Sequence, residues 1–250
     1  MTPNLFSILT IICLYFCSAA PAHAAPSQTT NTRRGKIFSL DDTQYTKQLF
    51  SYERIEIKEA NTLKVVTKFK ELDGKTNCEE TLSYENNELK KYVYNQVAVG
   101  DLGEAEFREG KIFYHFHSGT TDKTDHEDLE PNTLVSDMIE SFLQKNWDLL
   151  EKEETLKIRY VLVERLDTIG FKFFKVKDIL YEGKNAILVR MKPTSIFIAA
   201  LAPSIELVMQ KDAPHKLLET RGRLAIRVPE IPKPQSRKDW HAIDAILKLL

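Results

Sequence analysis

Cysteine is scarce in this chain of 250 residues: there are three, and two of them, Cys13 and Cys17, fall in an apolar amino-terminal stretch. Removal of that stretch on export leaves Cys78 alone, so no intramolecular disulfide holds the mature chain and stability has to come from a packed core. A lone thiol in a strand behaves as a small buried apolar residue before it behaves as a reactive one. Glycine is also sparse, at 9 residues, and neither a phosphate-binding glycine loop nor a Gly-x-Ser-x-Gly elbow occurs. The His-Glu-x-x-His pair of zinc proteases and the paired cysteines of zinc ribbons are missing too. Charge of one sign is not in excess, with 35 Lys and Arg against 36 Asp and Glu for a formal charge of −1. Lys and Glu alternate instead of forming blocks, which excludes the basic footprint of a nucleic-acid binder and gives no special attraction to anionic membranes.

What is present begins with "MTPNLFSILTIICLYFCSAAPAHAAPS", which carries no charged side chain. Its apolar core, Leu5 to Phe16, ends in small residues with Ala22-His23-Ala24 in an A-x-A arrangement, the pattern of an export signal covering 1–24. The apolar core is shorter than the roughly 20 residues a membrane-spanning helix needs, so no transmembrane segment is expected in the mature chain. Residues 25–40 show no apolar period and read as a flexible tail, with Arg33-Arg34 solvated in it.

From Leu49 onward the period becomes two, the spacing that sends successive side chains to opposite faces of a strand. In "TLKVVTKFK", Leu63, Val65, Thr67 and Phe69 share one face and Lys64, Lys68 and Lys70 the other. Such one-sided strands belong to antiparallel sheets. Asp73-Gly74, Asn86-Asn87, Gly100-Asp101, Glu109-Gly110 and Glu182-Gly183 supply the positive φ of tight hairpins. Strands near 48–58, 62–71, 76–85, 88–98, 103–108 and 111–117 therefore form a meander.

The acidic stretch "GTTDKTDHEDLEP" is expected to be a solvated connection. After it the period shifts: Val135, Met138, Ile139, Phe142 and Leu149 fall at helical intervals, which predicts one helix over about 133–150, capped by Asn132 or Thr133 and packed on the sheet. A second set of strands follows in "TLKIRYVLVERL", "GFKFFKVKDIL", "NAILVRMK", "SIELVMQ" and "GRLAIRV". Between Pro193 and Pro203 lies "TSIFIAALA", an apolar insert whose Ile196, Phe197, Ile198 and Leu201 are candidate ligand-binding residues at the mouth of a cavity. Residues 229–250 open with Pro229, Pro232 and Pro234, which stiffen a linker. Beyond them Trp240, Ile243, Leu247 and Leu250 match a short amphipathic helix, while Ile243, Ala245, Leu247 and Leu249 match a competing strand register.

The one stretch with metal-ligating chemistry is "KIFYHFH". Ile112, Tyr114 and Phe116 point to one side of the strand, and Phe113, His115 and His117 to the other. The two histidines stand about 6.6 Å apart along the backbone, from which two imidazoles can converge on one ion. Asp122 and His126 on the following stretch would complete a divalent metal site such as zinc, and with it a metal-dependent enzyme as the alternative function. The competing reading is a polar face of solvated imidazoles that needs no cofactor.

Two longer stretches, "NWDLLEKEETLKIRYVLVERLDTIGFKFFKV" and "PSIELVMQKDAPHKLLETRGRLAI", resemble a group of exported bacterial β-sheet proteins of unknown function over about residues 130–228. The resemblance implies an envelope protein of the periplasm and assigns no catalytic residue. The meander is similar in architecture to the half-barrel of lipoprotein-carrier proteins, an analogy that does not fix function. The fold expected is mainly β (α+β), a curved antiparallel sheet or partly open barrel in a single domain over 41–228, closed by one helix. The expected role is a soluble exported protein that binds an apolar small molecule or lipid, or an envelope protein partner.

Overall fold

A computed structural model describes residues 28–199, 204–230 and 240–250. The first half is a run of hairpins: β1 (Thr29–Ser39), β2 (Gln48–Glu59), β3 (Thr62–Lys70), β4 (Thr76–Glu85), β5 (Glu88–Gln96), β6 (Asp101–Arg108), β7 (Lys111–Ser118) and β8 (Thr121–Asp128). A short β9 (Thr133–Leu134) leads into two helices, α1 (Met138–Lys145) and α2 (Trp147–Glu151). Then come β10 (Leu156–Leu162), a 3-10 turn (Val163–Arg165), β11 (Asp167–Tyr181), β12 (Lys184–Pro193), one helical turn α3 (Ile196–Ala199), β13 (Ile205–Gln210), β14 (Leu217–Pro229) and β15 (Trp240–Leu249).

Among the described residues fifteen strands form one sheet in the order β8-β7-β6-β5-β4-β3-β2-β1-β15-β14-β13-β12-β11-β10-β9. Each neighbouring pair is antiparallel except β9 with β10, which is parallel. The chain thus runs outward along one wing, returns through the helices, builds the other wing inward, and pairs its last strand with its first. The result is a large, curved, unclosed sheet, mainly β as expected.

Turn chemistry explains the regularity of the hairpins. Asn86 and Asn87 (φ 52° and 65°), Glu109 and Gly110 (54° and 69°), and Glu182 and Gly183 (49° and 78°) all occupy the left-handed region. Two successive positive φ values give a turn whose twist matches that of the strands it joins.

Burial in the meander follows period two. On β3, Val65, Thr67 and Phe69 are buried, and on β7 so are Ile112, Tyr114 and Phe116. The inward residues form two clusters. One gathers β1 to β7, β14 and β15 around Ile37, Leu82, Ile112 and Ile226. The other packs Leu143, Trp147 and Leu150 of the helices on Phe173, Ile187, Val189 and Met209 of the second wing. Gly103 on β6 permits the closest approach in the first cluster, because a Cβ there would lie 2.5 Å from Val163 Cγ2 on the 3-10 turn.

Four expectations need correction. Residues 29–39, read as a flexible tail, are β1, laddered to both β2 and β15. Its first residues are exposed, so pairing there rests on backbone hydrogen bonds that leave no apolar period in the sequence. The acidic connection is the edge strand β8, whose side chains are nearly all exposed, so charge replaces alternation. The helix over 133–150 is β9 followed by two helices: Asp137, not Asn132 or Thr133, stands at the first helix's N-cap. Asn146 ends that helix by turning its side-chain amide onto the Phe142 carbonyl at 2.8 Å. The carboxy-terminal helix is β15, in the register that aligns Ile243, Ala245, Leu247 and Leu249. Ten residues make a weak isolated helix, whereas β1 and β14 offer this segment a ladder on each side. The single β-rich unit therefore takes in residues on both flanks of 41–228.

Candidate functional site

The two core clusters do not meet everywhere, and α1 lies along the gap. On one side of it is a cavity of about 400 Å³. Its apolar wall joins Val161 and Leu224 of the first cluster to Phe171, Met191 and Ile205 of the second. Its aromatic wall is Tyr92, Tyr94 and Tyr160, and Ile139 of α1 also lines it. On the other side is a wider cleft of about 960 Å³ between β1 to β4, α1 and the β13–β14 connection, lined by Arg33, Arg54, Tyr84, Glu140 and Gln144 among others.

Three acidic groups fasten the helix entrance to the sheet. Glu80 of β4 accepts hydrogen bonds from the Tyr92 hydroxyl at 2.6 Å and from the Ser136 hydroxyl. Asp137 is bonded by Arg54 and faces the Tyr52 hydroxyl at 3.5 Å. Glu140 pairs with Arg33 and accepts the Leu217 backbone N–H at 2.8 Å. Ser136 sits at φ 30°, an unfavourable backbone conformation for a residue with a side chain, and the bond to Glu80 pins it there.

Electrostatics single out Glu80. Its side chain is buried inside the apolar cavity wall, and burial raises its pKa against the opposing effect of the two hydroxyl donors. Among the described residues no cation pairs with it. By contrast Arg227, also on the cavity wall, binds both carboxylate oxygens of Glu164 at 2.7 and 2.8 Å. Beneath this pair Asn77 crosses the interior. Its amide donates to the Arg227 carbonyl at 2.8 Å, and its carbonyl accepts from the Arg227 N–H and the Gln96 amide, each at 3.1 Å. The crossing is made possible by a bulge in β14, where Leu224, Ala225 and Ile226 leave the ladder between Arg223 and Arg227 and turn inward.

The residues singled out from sequence lie elsewhere. Ile196 and Phe197 are 85% and 87% exposed and Ile198 is half-buried. None of the three lines the cavity, and Leu201 lies outside the described residues. They occupy the connection between β12 and β13, next along the chain from the cavity-lining Met191 and Ile205. His115 and His117 do share the outer face of β7. His115 binds Asp122 at 2.6 Å, whereas His126 sits opposite Phe113 and stacks on it at 5.8 Å. Among the described residues no group of three or more His, Cys, Asp or Glu is placed to hold a metal ion. Cys78 is fully buried, and burial pushes its thiol pKa far up, so it is not a nucleophile in the folded chain.

Glu80 was missed, although a signal existed. In "NCEETLSYE" it falls on the same parity as Cys78, Leu82 and Tyr84, and a carboxylate on the apolar face of a one-sided strand asks for an explanation.

The fold and its interior define a mainly β protein built on one curved, unclosed sheet with a part-apolar cavity at the junction of two cores. Among solved structures the chain is similar to a β-barrel-like protein of a domain of unknown function, DUF1849, from Brucella abortus, at 10% identity and a TM-score of 0.39, over 90% of this chain and 96% of that one. The likeness is loose, and that protein is itself of unknown function. No family model matches the chain, and no curated protein matches it. No helix among the described residues is long and apolar enough to cross a membrane.

Proposed function

We propose that this is an exported periplasmic protein that binds an apolar or amphiphilic small molecule in the cavity between its two cores. The observation that carries the reading is the cavity itself. Protein interiors are otherwise close-packed, and a space of about 400 Å³ walled by Tyr160, Phe171, Met191 and Ile205 has the size and lining of a small-ligand site. The A-x-A export pattern at 22–24 supports a location outside the cytoplasm. The exposed Ile196-Phe197 turn is a second apolar feature, joined in sequence to β12 and β13, whose Met191 and Ile205 line the cavity.

The test is saturable binding. The mature chain is expected to enhance the fluorescence of diphenylhexatriene with one site per molecule, and to release co-purified apolar molecules detectable by mass spectrometry. Leu224→Trp, which fills the cavity from the β14 bulge, is expected to weaken probe binding at least tenfold, with the urea midpoint as the control for folding. Absence of saturable binding by the wild-type chain overturns the reading.

A further inference from the structure

A carboxylate in an apolar cavity normally has a cation beside it, because removing a charge from water costs several kcal/mol that only close partners offset. Glu80 has none among the described residues. Its partners are two neutral hydroxyls, on Tyr92 and Ser136. The other charges around the cavity are accounted for. Glu164 and Arg227 neutralise one another, Asp137 is paired with Arg54, and Arg223 with Asp244. Arg165 remains, but it is solvent-exposed on the rim. The inner part of the cavity therefore presents one carboxyl group with no cation beside it, among tyrosine rings.

That combination has a chemical counterpart. An ammonium group offers several N–H donors to the remaining lone pairs of a carboxylate, and its charge is attracted to the faces of aromatic rings. Tyr92 and Tyr94 already direct their hydroxyls to Glu80 and Gln96, which fixes the rings as parts of the wall. An acid-headed chain such as a fatty acid would instead bring a second negative charge to Glu80.

We propose that the cavity selects amphiphiles headed by a protonated amine, with Glu80 as the counter-ion and the apolar wall from Val161 to Ile205 receiving the tail. The inference rests on the binding function proposed above and names its ligand class. It is consistent with the upward displacement of the Glu80 pKa by burial, since a cation beside it favours the ionised form.

The experiment is displacement of bound diphenylhexatriene from the full mature chain by three twelve-carbon competitors below their micellar concentrations: dodecylamine, dodecanol and dodecanoate. At neutral pH dodecylamine is expected to displace the probe at concentrations at least tenfold lower than dodecanoate, with dodecanol between them. Glu80→Gln is expected to abolish the preference for the amine while changing displacement by dodecanol less than about twofold. Equal potency of amine and acid in the wild-type chain, or a preference that survives in E80Q, overturns the inference and leaves the cavity function standing. If the probe does not bind at all, both fall. Should E80Q not fold, the order of the three competitors on the wild-type chain decides alone.

Discussion

The two cores are built on different principles. In the first, sheet faces sheet, and a polar crossing runs through the apolar packing: Asn77 on β4 holds the β14 backbone at Arg227 and the buried Gln96 amide. In the second, helices cover sheet, and contacts across the middle are apolar, with Phe142 against Phe173 at 6.1 Å and Leu143 and Leu150 fully buried. A sheet that curves onto itself brings ladder residues together across its hollow, where hydrogen bonds fix position. A helix laid on a sheet is free to slide unless its side chains interlock. The cavity lies where one kind of packing gives way to the other.

Truncation should separate the two most sharply. Phe173→Ala removes a fully buried ring from the centre of the second core, and is expected to cost about 3–5 kcal/mol in urea unfolding, the range for a large aromatic whose cavity cannot collapse. A loss near 1 kcal/mol would mean that the helices settle into the gap, and that the second core is the more plastic of the two.

How much of this was legible follows the same division. The strands from β2 to β7 declared themselves because one face is wet and one dry, so Leu63, Val65 and Phe69 alternate with lysines, and turn pairs such as Asn86-Asn87 mark the reversals from β3 to β7. The second wing was legible as strands but not in detail. In β13 Leu207, Val208 and Met209 are buried in succession, a run that gives length but no face. β1 and β15 were misread because their signal is a partner strand far away in sequence. Arg33 looked solvated because Glu140, 107 residues later, is what gives it a role. A cavity mouth was expected at Ile196, Phe197, Ile198 and Leu201, of which the first two are exposed and the last lies outside the described residues. An apolar insert between prolines reads the same whether it lines a hollow or faces water.

The polar crossing gives the next largest effect. Asn77→Ala strips three hydrogen bonds, leaves the Arg227 N–H and carbonyl without their side-chain partner and leaves the Gln96 amide only its longer bond to the residue-77 backbone carbonyl at 3.4 Å, for which a loss of about 2–3 kcal/mol is expected. Asn95→Ala, on an exposed position of β5, is expected to change stability by less than about 0.5 kcal/mol. If the two substitutions were equal, the first core would be held by apolar burial alone and the contrast with the second would disappear.

The smallest effect is a slope. Burial lifts the Glu80 carboxyl above its ordinary value of 4.5, so between the two values the folded chain holds a proton that the unfolded chain has released. The contribution of Glu80 to stability is therefore greatest in acid and declines as the pH rises from 4.5 through the folded value, levelling once the group is ionised in both states. Carboxylates with lowered pKa, such as Asp42 and Asp178, act in the opposite sense, so the wild-type curve alone does not isolate it. The difference between Glu80→Gln and wild type does. Measured by urea unfolding between about pH 4 and about pH 8, the variant should gain on the wild type as the pH rises. Parallel curves would show that the Tyr92 and Ser136 hydroxyls stabilise the ionised form as well as water does, and the inner cavity would then have no unmet demand for a cation.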